Sequence, residues 1–323
     1  MKRKKIVVIG GGTGTFTVLS GLKEYPLDLS AIVTMADDGG STGVLRDELG
    51  VLPPGDVRQC LVALSKSPQF LRRLMNYRFT EGGLKGHSFG NLFLSALEKM
   101  AGDFDTAIEM AGEILRIEGR VIPSTLNKVR LMAELPRGKK LQGEHEFHYA
   151  DLMNVRKVFL KPKAHANPKA IQAIRAADLI VVGPGDLYSS LIPNFLVQGI
   201  PQAIRSSKAK KVYICNLMTK QEHTKDFTVS DYVQAVERYL GGRFHHVIYN
   251  TRRPSSLALQ RYAREGDAVV ELQDVASREK YIGADLVSKQ IIKTAKGDPL
   301  SAKRTFIRHD AHRLARILFG LVW

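Results

Sequence analysis

The chain opens on a strand that runs directly into a glycine-rich turn. The continuous apolar and β-branched run KIVVIG at Lys5 to Gly10 predicts a buried strand, and the pattern of Thr15 to Glu24 predicts a helix. Between them, glycines allow the backbone to turn tightly and to approach a phosphate held by amides at the helix N-terminus. The unit therefore predicts a phosphate or nucleotide site at Gly11, Gly12, Thr13 and Gly14.

That motif departs from the G-x-G-x-x-G pattern of dinucleotide sites. Thr15 stands at the last glycine position when the count begins at Gly10, and Thr17 stands there when it begins at Gly12. The alternative is a tight strand–helix turn without a ligand. The strand before the turn and the helix after it favour binding.

Strands and helices alternate along the rest of the chain. Such alternation predicts an α/β fold with a mainly parallel, doubly wound sheet that binds ligands at the carboxyl ends of its strands. Further strands are predicted at 31–36, 179–182, 211–217, 246–249 and 269–272, and further helices at 168–177, 187–198 and 229–240. We expect a single domain over 1–323, with a helical segment at 57–117. Alternating residues around a turn at Pro136-Arg137-Gly138 predict a small antiparallel insertion at about 125–160.

A second polar loop, DDGGSTG, follows the second predicted strand. Asp37 lies close to where a dinucleotide fold places its ribose-binding carboxylate. Asp37 and Asp38 could instead hold a hydrated Mg²⁺ beside a phosphate, while Ser41 and Thr42 supply hydroxyls. A flexible Asp-Gly-Gly turn is the alternative. Arg58 follows in the first turn of a helix that begins after Pro53-Pro54-Gly55.

The segment Gly86 to Gly90 matches the G-x-S-x-G pattern of α/β hydrolases. That chemistry requires a strand immediately before the serine, whereas TEGGLK at Thr80 to Lys85 predicts a loop. We therefore expect His87 and Asn91 to project polar groups into a ligand cleft at a helix N-terminus.

A further strand–loop–helix unit repeats the logic of the first. The predicted strand at 179–182 runs into Gly183-Pro184-Gly185-Asp186 and a helix with hydroxyls in its first turn. Two such units suit a ligand with two ends, such as a dinucleotide or nucleotide sugar. The predicted binding residues in this half are Gly183, Gly185, Asp186, Ser189 and, after the next strand, Asn216.

Charge and cysteine content narrow the classes of function. Lys and Arg number 48 against 32 Asp and Glu, a formal net charge of +16 that favours an anionic ligand. No nucleic-acid motif accompanies the scattered basic residues. Cys60 and Cys215 lie in apolar stretches and exclude a disulfide framework, which favours a cytoplasmic location, and no membrane span is expected. The spacing of His145 with His148, and of His245 with His246, does not suit a zinc site.

The carboxyl-terminal segment predicts an amphipathic helix over Arg308 to Leu318. Leu314, Ile317 and Leu318 share one face. Docking of this face on the sheet is favoured over a membrane-surface or partner-binding role.

Several of these motifs together resemble the gluconeogenesis-factor family, which is related to 2-phospho-L-lactate transferase. The resemblance spans nearly the whole chain, and PPGDVRQCL and GHSFGNLFL are signatures of the gluconeogenesis-factor branch. Asp186 departs from the serine that this branch often carries. The segments that carry the resemblance are 10–14, 36–43, 53–61, 86–94, 183–194, 215–219 and 308–310.

The resemblance implies a Rossmann-like nucleotide-binding core and two alternative functions. One is a cytoplasmic regulator that binds a uridine-type nucleotide sugar and links carbon metabolism to cell shape and cell-wall synthesis, with a partner protein from that process. The other is a transferase that moves a phospholactyl group from a nucleotide diphosphate donor with Mg²⁺. No general base is evident in the motifs, which favours the regulator and leaves the enzymatic question open. A homo-oligomer is compatible with either function.

Overall fold

A computed structural model describes residues 3–273, 278–289 and 307–323. The side chains of His145 and His148 lie outside this description, so the prediction about their spacing is not addressed. Within the described chain, no helix combines the length and the apolar character that a membrane crossing requires.

The described strands form one large and one small sheet. The large sheet contains seven parallel strands in the order β10-β9-β8-β7-β1-β2-β3, and the small antiparallel sheet has the order β5-β4-β6. The strands are β1 (Lys4–Gly10), β2 (Leu27–Val33), β3 (Arg120–Pro123), β4 (Arg130–Glu134), β5 (Lys140–Gln142), β6 (Lys157–Lys161), β7 (Leu179–Val182), β8 (Lys210–Ile214), β9 (His246–Asn250) and β10 (Tyr281–Ala284).

The strand order reverses at the centre of the large sheet. The chain winds outward from β1 through β2 to β3 and then returns to β7, which pairs with the other edge of β1. This is a doubly wound, Rossmann-like topology, as predicted, and it opens a crevice between the carboxyl ends of β1 and β7. Ile9 marks the level of this crevice because it pairs with Ile32 on one side and Val182 on the other.

Helices cover both faces of the large sheet. Single turns occur at Gly82–Leu84, Pro136–Gly138 and Arg278–Lys280, and a π-helical turn at Leu187–Leu191. The α-helices are α1 (Gly12–Leu22), α2 (Gly40–Leu49), α3 (Pro54–Leu64), α4 (Gln69–Met75), α5 (Phe89–Ala101), α6 (Phe104–Ile114), α7 (Gly143–Tyr149), α8 (Pro168–Ala176), α9 (Ile192–Phe195), α10 (Ile200–Ser206), α11 (Gln221–Thr224), α12 (Val229–Leu240), α13 (Ser256–Arg264) and α14 (Ala311–Val322).

The side chains of β1 alternate between two hydrophobic clusters. Ile6 and Val8 pack in the cluster that contains α1, α3, α5, α6 and α14, whereas Val7 and Ile9 pack in the cluster that contains α8, α10 and α12. Because both faces of this strand are buried, its sequence is continuously apolar. The residues of β7 are also all buried, so both strands have continuously apolar sequences and could be predicted from them.

The antiparallel insertion predicted at about 125–160 is present. Arg120–Pro123, which precedes the insertion, was not predicted as a separate strand and is a parallel strand of the large sheet that pairs with β2. The small sheet begins at Arg130, ends at Lys161 and includes helix α7. The alternation of apolar and polar residues is similar in an edge strand and a hairpin, so the pattern alone did not separate them.

Three other local predictions were wrong. The predicted strand at 269–272 is only an isolated bridge from Val269 to Met218. The predicted helix at 187–198 is a π-helical turn followed by the short α9, whose second residue is Pro193. The polar loop after Asp38 proves to be helical from Gly40 onward, because glycine and serine suit a helix start as well as a turn.

The helix predicted over Arg308 to Leu318 runs from Ala311 to Val322, because Asp310 caps its start, and it docks in the hydrophobic cluster on one face of the sheet, as predicted. Leu314, Ala315 and Leu318 are buried in the same cluster as the side chains of α1. The backbone of the two helices is in close contact, since a Cβ atom at Gly21 would lie 2.1 Å from the Ala311 carbonyl oxygen. This docking joins residues near both ends of the described chain.

The variant Leu314→Ala tests the energetic weight of this docking. It is expected to lower the free energy of unfolding by about 2–5 kcal/mol, because a fully buried leucine leaves a cavity. Arg316→Ala, at an exposed position of the same helix, is expected to stay within about 0.5 kcal/mol of the parent. Urea unfolding followed by circular dichroism measures both, and removal of residues 309–323 is expected to abolish folding. Equal effects of the two substitutions would contradict the docking.

Candidate functional site

The first glycine loop (residues 10–14) and the second glycine loop (residues 183–186) meet at the point where the strand order reverses. A Cβ atom at Gly14 would lie 2.0 Å from the Pro184 carbonyl oxygen, so the loops pack backbone against backbone. Asn194 extends the contact by directing its Nδ2 toward the Gly10 carbonyl at 3.4 Å, and the Asn216 Nδ2 donates to the Gly185 carbonyl at 3.0 Å. The structure thus brings together the predicted residues of both loops.

The first loop presents the N-terminus of α1 to the crevice. Gly12 begins the helix with a φ of +62°, a conformation that favours glycine. Gly11 precedes it and supplies no side-chain cap, so the first amides depend on other partners. One partner is the Asp56 carboxyl, which accepts a hydrogen bond from the Gly12 amide. Thr13, also predicted, directs its Oγ1 toward Gln59 Oε1 at 3.5 Å.

Three carboxyl groups converge beside this helix N-terminus. Burial in the crevice and the nearby charge of Asp37 raise the pKa of Asp56 to about 8. Burial and the same neighbour raise the pKa of Glu144 well above its usual value, and Glu144 also shares a hydrogen bond with Asp37. Like charges at close range disfavour full ionisation, so the group holds protons that isolated carboxyls would release. A cation or a donor-rich ligand would relieve this repulsion.

Asp38 points away from these carboxyls toward the insertion. Its Oδ1 accepts the Glu144 amide at 2.7 Å, and its Oδ2 lies 3.3 Å from the Arg130 guanidinium. The side chain is only 8% exposed, and both oxygens contact residues at or near the insertion. Asp38 therefore anchors the start of α7, and its predicted role in holding Mg²⁺ stays a prediction.

Asp186, in the second glycine loop, is an ionised carboxylate. It caps the π-helical turn by accepting the amides of Tyr188 and Ser189 at 3.1 and 3.0 Å. Burial opposes its ionisation, but Lys220, with Nζ 3.4 Å away, and His223 hold the pKa of Asp186 well below its usual value. Ser189 itself is nearly buried. The departure from serine at position 186 is therefore a structural cap.

Helix α7 links the two halves of the sheet, through Asp38 on one side and His223 on the other. At its start, the Glu144 amide binds Asp38 of the first half of the sheet. Farther along, the Phe147 carbonyl accepts a hydrogen bond from His223 Nε2 at 2.7 Å, and His223 Nδ1 lies 3.6 Å from Asp186. The insertion consequently roofs the crevice and is anchored to both halves.

Four predicted polar residues form a hydrogen-bonded chain. Arg58 Nε, which can only donate, donates to Asn91 Oδ1 at 2.9 Å. The Asn91 Nδ2 then donates to Ser41 Oγ at 3.3 Å, which leaves the Ser41 hydroxyl proton to be donated to His87 Nδ1 at 3.0 Å. Arg58, Asn91 and Ser41 are each less than 10% exposed. Arg58 therefore orients Asn91 and, through Asn91, the side chain of Ser41.

Two further sequence predictions concern hydroxyl groups. Ser88, the serine of the G-x-S-x-G match, is buried and caps α5 by accepting the Asn91 amide, so it is a helix cap. Thr42 lies beside Asp37, since both side chains would lie 2.6 Å from a Cβ atom at Gly55. The first turn of α2 therefore faces the acidic group.

The donor set of the crevice suits Mg²⁺. Asp37 and Asp56 supply hard carboxylate oxygens, and their mutual repulsion would be relieved by a divalent cation. Among the described residues, no three His, Cys, Asp or Glu side chains are placed to bind one metal ion together, so water and ligand phosphates would complete the coordination.

Sequence reasoning missed Asp56 and Glu144 as site residues. Asp56 lies in the PPGDVRQCL segment, in the first turn of a helix. Acidic residues are favoured there by the helix dipole, so the position alone does not indicate a ligand site. Glu144 lies more than 100 residues from Asp37 along the chain, and no local pattern joins them.

Comparison with known proteins decides the family. The family model described as 2-phospho-L-lactate transferase CofD matches residues 6–292. The chain belongs to the CofD family. It is 38% identical to the gluconeogenesis factor of Bacillus subtilis, with 99% of both chains covered. It is 44% identical to the gluconeogenesis factor of Halalkalibacterium halodurans over 82% of this chain and 83% of that protein.

A solved structure supports the fold of this family member. The crystal structure of a Bacillus halodurans protein superposes with a TM-score of 0.89 at 38% identity, covering 98% of this chain and 100% of that one. The predicted resemblance to the gluconeogenesis-factor branch is confirmed by the relatives at this level of identity.

The variant Asp56→Asn tests the electrostatics of the site in this family member. A carboxyl whose pKa is raised to about 8 on folding contributes stability that is present at low pH and is lost as the pH rises through about 8. The amide retains an acceptor for Gly12 without the charge. We therefore expect Asp56→Asn to raise the melting temperature at pH 8 but not at pH 4.

The matched control is Asp186→Asn, whose parent carboxyl has a lowered pKa. Its stabilising contribution is present at neutral pH, so this variant is expected to melt at a lower temperature than the parent. Differential scanning calorimetry across the pH range distinguishes the two signs. A lower melting temperature for Asp56→Asn at pH 8 would refute the electrostatic account.

Proposed function

We propose that the crevice binds a nucleotide diphosphate group, carried by a uridine-type nucleotide sugar. The observation that carries the proposal is the contact between the loops of Gly14 and Pro184 at the reversal of strand order. In doubly wound sheets ligands bind at this position. We propose that one end of such a ligand contacts the helix N-terminus of the first loop and that the other end contacts α7.

The diphosphate would interact with the amides at the start of α1. Anions are stabilised there by unpaired N–H groups and by the helix dipole. Asp37 and Asp56 would otherwise repel the phosphates, so we propose that they hold Mg²⁺ between themselves and the ligand. The metal would neutralise part of the diphosphate charge. The chain's net charge of +16 further favours an anionic ligand.

The sugar end would lie beneath α7, near Glu144. A carboxyl group that keeps its proton can both donate and accept hydrogen bonds, as hydroxyl-rich ligands require. The chain of Ser41, His87 and Asn91 offers further polar contacts from α2 and α5.

We favour a regulatory role for this binding over turnover. Ligand contacts to both loops and to the insertion would stabilise one arrangement of all three, which a partner protein could recognise. The relatives named gluconeogenesis factors support a role in carbon metabolism. The link to cell shape, a partner from cell-wall synthesis, and a cytoplasmic location belong to this proposal.

The second candidate is a transferase of phosphorus-containing groups. It is favoured by the family model and by the position of Glu144 beside Asp37. A divalent cation bound beside Asp37 would favour loss of the Glu144 proton, and the resulting carboxylate could then accept the proton of an attacking hydroxyl. The reaction would release nucleoside monophosphate from a nucleotide diphosphate donor. A coupled assay for that product, with Glu144→Gln as the inactive comparison, separates this candidate from the regulator.

Isothermal titration calorimetry tests the shared binding step. We expect UDP-glucose and UDP-N-acetylglucosamine to bind in Mg²⁺ and to bind more weakly in EDTA. Asp37→Asn should reduce affinity by about tenfold or more in Mg²⁺, the effect of losing one charge-assisted contact, and little in EDTA. Asp47→Asn is the control, because this carboxyl is 65% exposed and pairs with Arg130.

Two outcomes would reject the proposal. One is the absence of binding by UDP-sugars, CDP, GDP or NAD at millimolar concentration. The other is tight binding of NAD with hydride transfer, which would indicate a dehydrogenase.

A further inference from the structure

The Arg308-His309-Asp310 motif lies in an extended segment directly before α14. Its backbone runs beside residues 286–288, with the Ser288 amide donating to the Arg308 carbonyl at 2.8 Å and the Asp310 amide to the Leu286 carbonyl at 2.7 Å. These bonds place His309 beside the residues that follow β10, at the carboxyl end of the large sheet.

His309 is held by one specific hydrogen bond. Its side chain is buried, and Nε2 lies 3.1 Å from the Cys215 carbonyl oxygen. Burial lowers the pKa of His309 to about 4, so the ring is neutral at physiological pH. A carbonyl only accepts, so the single ring proton resides on Nε2 and is donated to Cys215. The direction of this bond is fixed.

The acceptor of that bond belongs to the peptide that precedes Asn216. The Asn216 Nδ2 in turn donates to the Gly185 carbonyl in the second loop at 3.0 Å. Two directional hydrogen bonds, joined by one peptide unit, therefore lead from His309 to the loop. The same short loop carries Asp186 and contacts the first glycine loop through Pro184.

The opposite end of the motif is tied to the other half of the sheet. Asp310 caps α14 by accepting the Arg313 amide at 3.0 Å, and Ala311 packs on Gly21 of α1. Helix α1 begins at the first glycine loop. The segment from His309 to Ala311 thus contacts structures that lead to both loops.

We propose that His309 is a positioning residue that fixes the second glycine loop through Cys215 and Asn216. Asp310 caps the helix, so the start of α14 does not require the imidazole. His309 supports the loop through its hydrogen bond to Cys215, so its effect on the ligand site is indirect. The importance of the loop for ligand binding rests on the function proposed above.

Hydrogen exchange of the ligand-free protein, read by mass spectrometry, tests the positioning directly. His309→Ala should accelerate exchange of the amides in 183–191 by about fivefold, the effect of losing one neutral hydrogen bond. His309→Gln, which keeps a donor at the place of Nε2, should restore the parent rate. His312→Ala, at an exposed position in the first turn of α14, is the matched control and should exchange like the parent.

A double-mutant cycle tests the route through the side chains. Asn216→Ala should loosen the same peptide while leaving 307–323 protected, and His309→Ala combined with Asn216→Ala should add little to either single change. Additive effects would overturn the proposed route. Uniform acceleration throughout the protein in His309→Ala would also overturn it, because that result indicates a loss of general stability.

Titration of the same variants with UDP-glucose in Mg²⁺ completes the test. His309→Ala should weaken binding by about fivefold, and His309→Gln should restore it. If UDP-sugars, CDP, GDP and NAD all fail to bind even the parent protein while the exchange results hold, the proposed function is wrong and the positioning role stands. If the parent binds and loop exchange in His309→Ala is unchanged, the positioning role is wrong and the proposed function stands.

Discussion

The contact between Gly14 and the Pro184 carbonyl governs the geometry of the whole crevice. Only a residue without a side chain permits this approach, since a Cβ atom would lie 2.0 Å from the oxygen. Because Gly14 belongs to α1 and Pro184 follows β7, the contact fixes the two halves of the doubly wound sheet at one distance. The roof formed by α7 and the carboxyl groups beneath it are placed relative to these two loops.

The crevice contains a group of acidic side chains, whereas the chain as a whole is strongly basic. The protein carries a net charge of +16, yet Asp37, Asp56 and Glu144 share a small volume beside α1. The raised pKa values of Asp56 and Glu144 show that the folded state keeps protons there against the usual tendency of carboxyl groups to dissociate. Such an arrangement costs stability, and proteins retain it where a ligand or cation relieves the repulsion. The surrounding positive charge and the local acidic group would act together on an anion bound with a divalent cation.

The sequence predicted the parts of the fold that one strand or helix determines locally. Buried strands such as β1 and β7 are apolar on both faces, and the Gly-rich turns after them mark the ends at which ligands bind. Tertiary context decided the rest. The edge strand Arg120–Pro123 and the insertion have similar patterns, and only pairing with β2 assigns the former to the large sheet. In the site, Asp38 and Asp37 are adjacent in sequence, but the backbone directs one to α7 and the other to the crevice.

The packing of α14 on α1 has a consequence for synthesis of the protein. Ala311 reaches Gly21 across nearly the full length of the chain, so this contact has a very large sequence separation. Contacts of this kind form late because a long loop must close first. Until residues 311–322 have been synthesised, the helix that carries the first glycine loop lacks its covering partner, and the apolar side chains that α14 buries stay exposed to water. The support of the first glycine loop is therefore completed by a segment made long after the loop itself.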